Sequence, residues 1–208
     1  MMYSFNFKKR FYVLFLVSFL LNACGTNITN GSSIERETNS TFAKLSPKEK
    51  QTLKALNLNQ QRLLDAINKE RSEGKTCGGK GYFPAVPPLT WNAHLQVAAH
   101  EHVYDLAHSD TFSHDGSGTE YDITGAGKPS KFYERIVANG YTRYYSVGEN
   151  IAGGQRTIEE VMKAWMKSPG HCENIMKNTY TQIGVAIVIK EDSTYQVYWG
   201  QNFGSKRI

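Results

Sequence analysis

Ile158, Val161 and Trp165 recur at three- and four-residue spacing and form one apolar stripe, which predicts an amphipathic helix facing a core. Its start is marked by a Thr157-x-x-Glu160 capping box, in which the Thr157 hydroxyl accepts from the Glu160 amide and Glu160 reaches back to the Thr157 amide. Pro169 has no amide hydrogen and disfavours the helical conformation at Ser168, so the chain is expected to turn through Gly170 and deliver His171 to a defined place. A helix over residues 92–108 carries Leu95, Ala98, Ala99, His102 and Leu106 on one face. A shorter helix from residue 130 carries Phe132, Tyr133 and Ile136, and Gly140 stands where a left-handed C-cap is needed. Residues 182–190, QIGVAIVIK, and residues 195–203, YQVYWGQNF, are joined by four polar residues and predict an antiparallel hairpin with a buried face.

Towards the start of the chain the pattern changes. Ser46, Pro47 and Glu49 signal a helix N-terminus, followed by Leu53, Leu56, Leu63, Leu64 and Ile67, with residues 57–60 as the place where the helix would break. Lys8, Lys9 and Arg10 precede an apolar run over residues 11–21 that is shorter than the ~20 residues a membrane span needs. Residues 1–23 therefore read as a signal peptide. Leu21-Asn22-Ala23-Cys24 resembles a bacterial lipobox, so cleavage before Cys24 and lipidation of that cysteine are expected; a plain secreted protein with an incidental Cys24 is the alternative. Several acyl chains on one cysteine suffice for stable anchoring. Residues 24–45 are rich in Ser, Thr and Asn and read as a polar tether, whose flexible part would reach ~20–25 Å. The folded domain is then residues 46–208. Residues 119–129 are glycine-rich and are expected to form a mobile loop beside a cleft.

Charge narrows the function classes. The 208-residue chain carries a formal +5, but loss of residues 1–23 removes three positive and no negative charges, leaving +2. No basic block with interleaved aromatics remains, so nucleic-acid binding is set aside. If Cys24 carries lipid, Cys77 and Cys172 are an even pair in an oxidising compartment and are expected to be bonded; two buried free thiols are the alternative. Four histidines lie along residues 94–108, but His100-Glu101 meets Tyr104 where the zinc-protease pattern requires histidine. His94, His100 and His108 therefore read as surface residues, and His102, on the apolar stripe, as a core histidine bonded to backbone or hydroxyl.

Four motifs in sequence order carry a resemblance: Phe112-Ser113-His114, Glu149 within GENIA, Trp165 through Ser168-Pro-Gly-His171, and Ile183-Gly-Val with Tyr198-Trp-Gly-Gln. Over about residues 60–205 the chain resembles the CAP superfamily, which unites cysteine-rich secretory, antigen-5 and pathogenesis-related-1 proteins, and is most similar to its bacterial branch. The resemblance implies an α+β fold, a three-layer α-β-α sandwich with a central antiparallel sheet. With the lipobox at Cys24, the expected location is outside the cytoplasm of a bacterium, lipid-anchored at the outer membrane or cell surface. Animal and plant members place two histidines and two glutamates in a central cavity, and some bind a divalent metal there. His114 and Glu149 match that pattern, whereas the second glutamate falls on Ser168 and the second histidine on Thr179, before Tyr180-Thr181-Gln182. His171 is the bacterial branch's own feature.

His114, Glu149, Ser168 and His171 are thus the expected cleft residues. His114 and His171 are the candidate metal ligands, for Zn2+ or another divalent cation, with Glu149 as a carboxylate partner. A zinc site with an open position would lower the pKa of bound water to about 7, which makes a metal-dependent hydrolase or peptidase acting on peptides or envelope material chemically available. The same three groups equally suit a hydrogen-bonded network without turnover, because a carboxylate accepting from an imidazole raises its pKa and holds the cleft together. A serine nucleophile at Ser168 is weaker, since a serine before Pro-Gly is ordinarily a turn residue. Three readings follow: a membrane-tethered binding module for an extracellular or periplasmic lipid, glycan or peptide, a metal-dependent hydrolase, or an interaction protein displaying its loops.

Overall fold

The computed structural model describes residues 47–207, with side chains from residue 59 onward. The expected signal peptide, Cys24 and the tether lie outside the described residues. The chain divides at Gln61, and the unit that follows holds the elements that build the sheet. In order these are α1 (Pro47–Arg71, which begins before the boundary), β1 (Lys75–Thr76), β2 (Tyr82–Phe83), β3 (Thr90–Trp91), α2 (Ala93–Ser109), α3 (Phe132–Ala138), β4 (Tyr144–Gly153), α4 (Ile158–Lys167), α5 (Pro169–Met176), β5 (Gln182–Ile189) and β6 (Val197–Lys206). Residues 57–60 do not interrupt α1.

The main sheet has the order β3-β5-β6-β4, and its three long strands pair antiparallel. The short β3 adds a parallel edge through Thr90 and Trp91, so the sheet is mixed rather than wholly antiparallel. Helices cover both faces. On one, Leu63 and Ile67 of α1, Val161 and Trp165 of α4, and Ile175 of α5 bury against Ile183, Val185, Trp199 and Phe203. On the other, Ala99, Val103 and Leu106 of α2 bury against Ile151, Ala186 and Tyr198. The period-2 alternation of side chains along β5 and β6 divides the core this way. The protein is an α+β, three-layer α-β-α sandwich.

Local signals placed most helix ends. Asn92 caps α2 by accepting from the amides of His94 and Leu95, and Thr157 caps α4 by accepting from Glu160. Glu160 reaches back to the Arg156 amide at 2.7 Å, one residue short of the expected Thr157. Gly140 takes φ +90 as expected. The Ser168-Pro169-Gly170 segment is not a turn, because Pro169 sits at the first position of α5, where its fixed φ and missing amide hydrogen favour starting a helix.

Close approach of α2 to the sheet depends on glycine. A Cβ at Gly184 would lie 2.0 Å from the Gln96 amide nitrogen and 2.4 Å from the Leu95 carbonyl carbon, both backbone atoms of α2. A Cβ at Gly200 would meet the Val103 side chain of α2 at 2.8 Å, and one at Gly204 would meet the Tyr141 ring at 2.6 Å. Cys77 and Cys172 are bonded across 95 positions of sequence, which ties the segment after α1 to α5.

Two outcomes test this architecture. Gly184→Ala should lower unfolding stability by about 3 kcal/mol in urea titration, since the helix backbone has to move to admit one methyl group; an unchanged midpoint would show that α2 does not rest on this strand. Replacing both Cys77 and Cys172 by alanine should cost about 4 kcal/mol, from the entropy regained by the unfolded chain, and should lower the calorimetric Tm.

Candidate functional site

Glu149 lies in the middle of β4, opposite Asn202 of β6. Alternation along β4 sends Glu149 and Ile151 towards α2, and Asn150 and Ala152 towards the face covered by α4 and α5. One strand thus serves two faces through adjacent residues.

The Glu149 carboxylate is 2 % exposed. Its Oε1 accepts from His114 Nδ1 at 2.9 Å, and its Oε2 accepts from Arg135 Nη2 at 3.0 Å. His102 Nε2 stands 3.7 Å from Oε1 and donates instead to the Ser113 carbonyl at 2.9 Å. Half of the His114 ring faces solvent, so the buried network reaches the surface there. Arg135 comes from α3 and also donates 2.8 Å to the His114 carbonyl, which fixes the backbone of the residue whose ring shares the carboxylate with it.

Burial alone would push the Glu149 carboxyl up, but neighbouring positive charge and donated hydrogen bonds outweigh it and hold the group below the ordinary carboxylate range. A charged His102 would contribute, yet burial drives His102 itself below the usual histidine range. At neutral pH the stabilisation of Glu149 therefore falls to His114 and Arg135. The Glu149 hydrogen bond raises His114, despite some loss from partial burial.

The other two expected residues lie further from this pair. The half-buried His171 is at the start of α5, and its side chain makes no hydrogen bond to His114 or Glu149. Burial, followed by the charge of His114, lowers its pKa. Its carbonyl accepts from Asn150 Nδ2 at 3.2 Å, and Asn174, one turn further along α5, donates 3.2 Å to the Glu149 carbonyl and 2.9 Å to the Asn150 side chain. The link from His171 to the site thus runs through amides and long-range charge. Ser168 is the N-cap residue of α5 and makes no capping bond with its side chain.

The three groups named for Zn2+, His114, His171 and Glu149, are not assembled into one ligand set. Among the described residues no three His, Cys, Asp or Glu groups are placed to hold a metal ion. Both Glu149 oxygens accept hydrogen bonds, one from a guanidinium at 3.0 Å, so this carboxylate is a poor third ligand, and the ring nitrogen His114 keeps free is Nε2. His102 has the backbone bond expected of a core histidine, but its place beside Glu149 was not legible from its stripe. Arg135 was also missed, being one cation on a short helix. The loop over residues 119–129 is organised rather than loose: buried Asp122 accepts from the amides of Gly118, Gly125 and Ser130 and from the Ser130 hydroxyl.

Residues 64–203 match the model of the cysteine-rich secretory protein family, CAP. A 45-residue stretch is 58% identical to the protein YkwD of Bacillus subtilis, covering 22% of this chain and 18% of that one. An extracellular protein containing an SCP domain from Bacillus anthracis is similar in structure with TM-score 0.54 and 24% identity, over 78% of this chain and 44% of its own. An outer surface protein of Borrelia burgdorferi follows with TM-score 0.53 and 18% identity, over 73% of this chain and 92% of its own. The chain thus spans less than half the length of the two Bacillus proteins. With more than half of its residues inside the family match, and with helices on both faces of the sheet, the chain belongs to the cysteine-rich secretory protein (CAP) family.

Proposed function

We propose that this is an extracytoplasmic CAP-domain protein, tethered to a bacterial outer membrane or cell surface through lipid on Cys24, that binds an extended or amphiphilic ligand. The ligand is a lipid, glycan or peptide, and its contact surface lies around the exposed edge of His114, with Glu149 beneath and Ser168 and His171 on the neighbouring helix. One observation carries the preference for binding over catalysis: both oxygens of Glu149 are occupied, one by His114 and one by Arg135, in a carboxylate that is 2 % exposed. A general base has to reach the proton it takes, and this buried carboxylate is turned towards His114 and Arg135 and away from solvent. Its role is to hold a charged imidazole at the surface.

The charges set a pH window. The raised His114 pKa means that its contribution to stability is complete below the unfolded histidine value and is lost as pH rises through the folded value. The lowered Glu149 pKa means that its contribution is present above the unfolded carboxyl value and is lost as pH falls through the folded value. The pair therefore stabilises most in the mildly acidic range between them. In an NMR titration, His114 should titrate above the ordinary histidine value and His102 and His171 below it, and Glu149→Gln should bring His114 down. A His114 that titrates at the free-histidine value in the wild-type protein would contradict the pairing.

Ligand binding is tested directly by native mass spectrometry of protein extracted from its own membrane. A co-purifying small molecule whose occupancy drops in His114→Ala is the expected result, and a bare polypeptide mass would count against the binding module. Calorimetric titration with Zn2+ should show no uptake that depends on His114; tight uptake lost in His114→Ala would bring back the hydrolase reading.

A further inference from the structure

We propose that Arg135 is the positioning residue of the His114 and Glu149 pair, and that it is itself held by Ser130 and Asp122, so that the glycine-rich loop over residues 115–131 sets the geometry of the site. This rests on reading His114 and Glu149 as the functional pair, but not on any particular ligand.

A continuous set of hydrogen bonds carries the inference. Arg135 is 1% exposed, and its two terminal nitrogens are divided between two structures. Nη1 donates 2.9 Å to the Ser130 carbonyl and 2.9 Å to the Ser130 hydroxyl. Nη2 donates 2.8 Å to the His114 carbonyl and 3.0 Å to Glu149 Oε2. The guanidinium is rigid and planar, so fixing Nη1 fixes the direction of Nη2. The Ser130 hydroxyl gives its only hydrogen to Asp122 Oδ1 at 2.6 Å, which turns its lone pairs towards Arg135. Asp122 is 2% exposed and is held in turn by the Gly118, Gly125 and Ser130 amides. The loop's glycines are what admit this carboxylate. A Cβ at Gly116 would lie 2.1 Å from Asp122 Oδ2, and one at Gly125 would lie 2.5 Å from the same atom. The composition that suggests a loose loop on the sequence is therefore the packing requirement of a buried anchor. The ordered path runs from Asp122 through Ser130 and Arg135 to Glu149 and His114, whereas neither Asp122 nor Ser130 makes a hydrogen bond to Glu149 or to the His114 ring.

The test follows the His114 Nδ1–H proton by NMR, since its protection from solvent exchange reports the bond to Glu149 directly. Ser130→Ala and Asp122→Asn should each speed that exchange by about tenfold or more, the effect of losing a hydrogen bond to a charged group. Arg135→Lys should do the same despite keeping its charge, because one ammonium cannot reproduce the two-sided fork. Amide spectra and thermal melts show whether the rest of the fold is intact. Ser130→Ala deletes one hydroxyl and leaves the backbone contacts of the loop, so it is the variant that decides. If it folds and His114 Nδ1–H stays as protected as in wild type, the positioning role is overturned. If Ser130→Ala unfolds the protein, the relay is a stability element and the proposal is equally overturned. Wild-type protection in Arg135→Lys would show that charge alone suffices. None of these readouts requires a bound molecule, so a failure to find a ligand leaves them unaffected.

Discussion

A carboxylate removed from water has to be neutralised or paired, and Glu149 is paired on both oxygens. That requirement brings α3 and the segment after α2 onto the edge strand β4, because Arg135 and His114 come from those two places. The arrangement is asymmetric in exposure. Arg135 is buried, while His114 stands half in solvent and can gain or lose its proton. A buried ion pair gives little net stability when desolvation is included, and its value here lies in orientation: the alternatives leave a buried charge alone.

A second buried cation solves the same problem without a carboxylate. Arg71, at the end of α1, donates to the carbonyls of Pro87, Ile175 and Lys177 at 2.6 to 3.0 Å. Burial pushes its pKa down to about 10, so it stays protonated at neutral pH. Those carbonyls lie on the proline-rich approach to β3 and at the end of α5, whose start is held by the Cys77 to Cys172 bond. The helix that carries His171 and Asn174 is thus restrained near both ends, and its amides reach β4 in a defined register.

Several elements were legible because their causes are local. The helix over residues 92–108, the Thr157 cap, the Gly140 stop and the β5 to β6 hairpin are written in neighbouring residues, and each formed close to its expected limits. The strand β4 was not legible. Its core reads SVGENIAG, with two glycines and three polar residues that have little intrinsic β preference, yet it pairs along nearly the whole of β6. Tertiary pairing overrode propensity, and with β4 unrecognised the direction of Glu149 could not be assigned. Ser168-Pro-Gly failed for a related reason: the same proline that ends one helix begins the next, and the sequence does not say which.

Residue order alone determined the family motifs, the apolar stripes and the candidacy of His114 and Glu149, since each depends on residue type and short spacing. Tertiary structure decided which groups surround the carboxylate. Arg135 and His102 join it from two helices, and His171 lies across on a third, because a side chain's neighbours follow from strand register and helix packing, quantities set by the whole core and not by any one stretch.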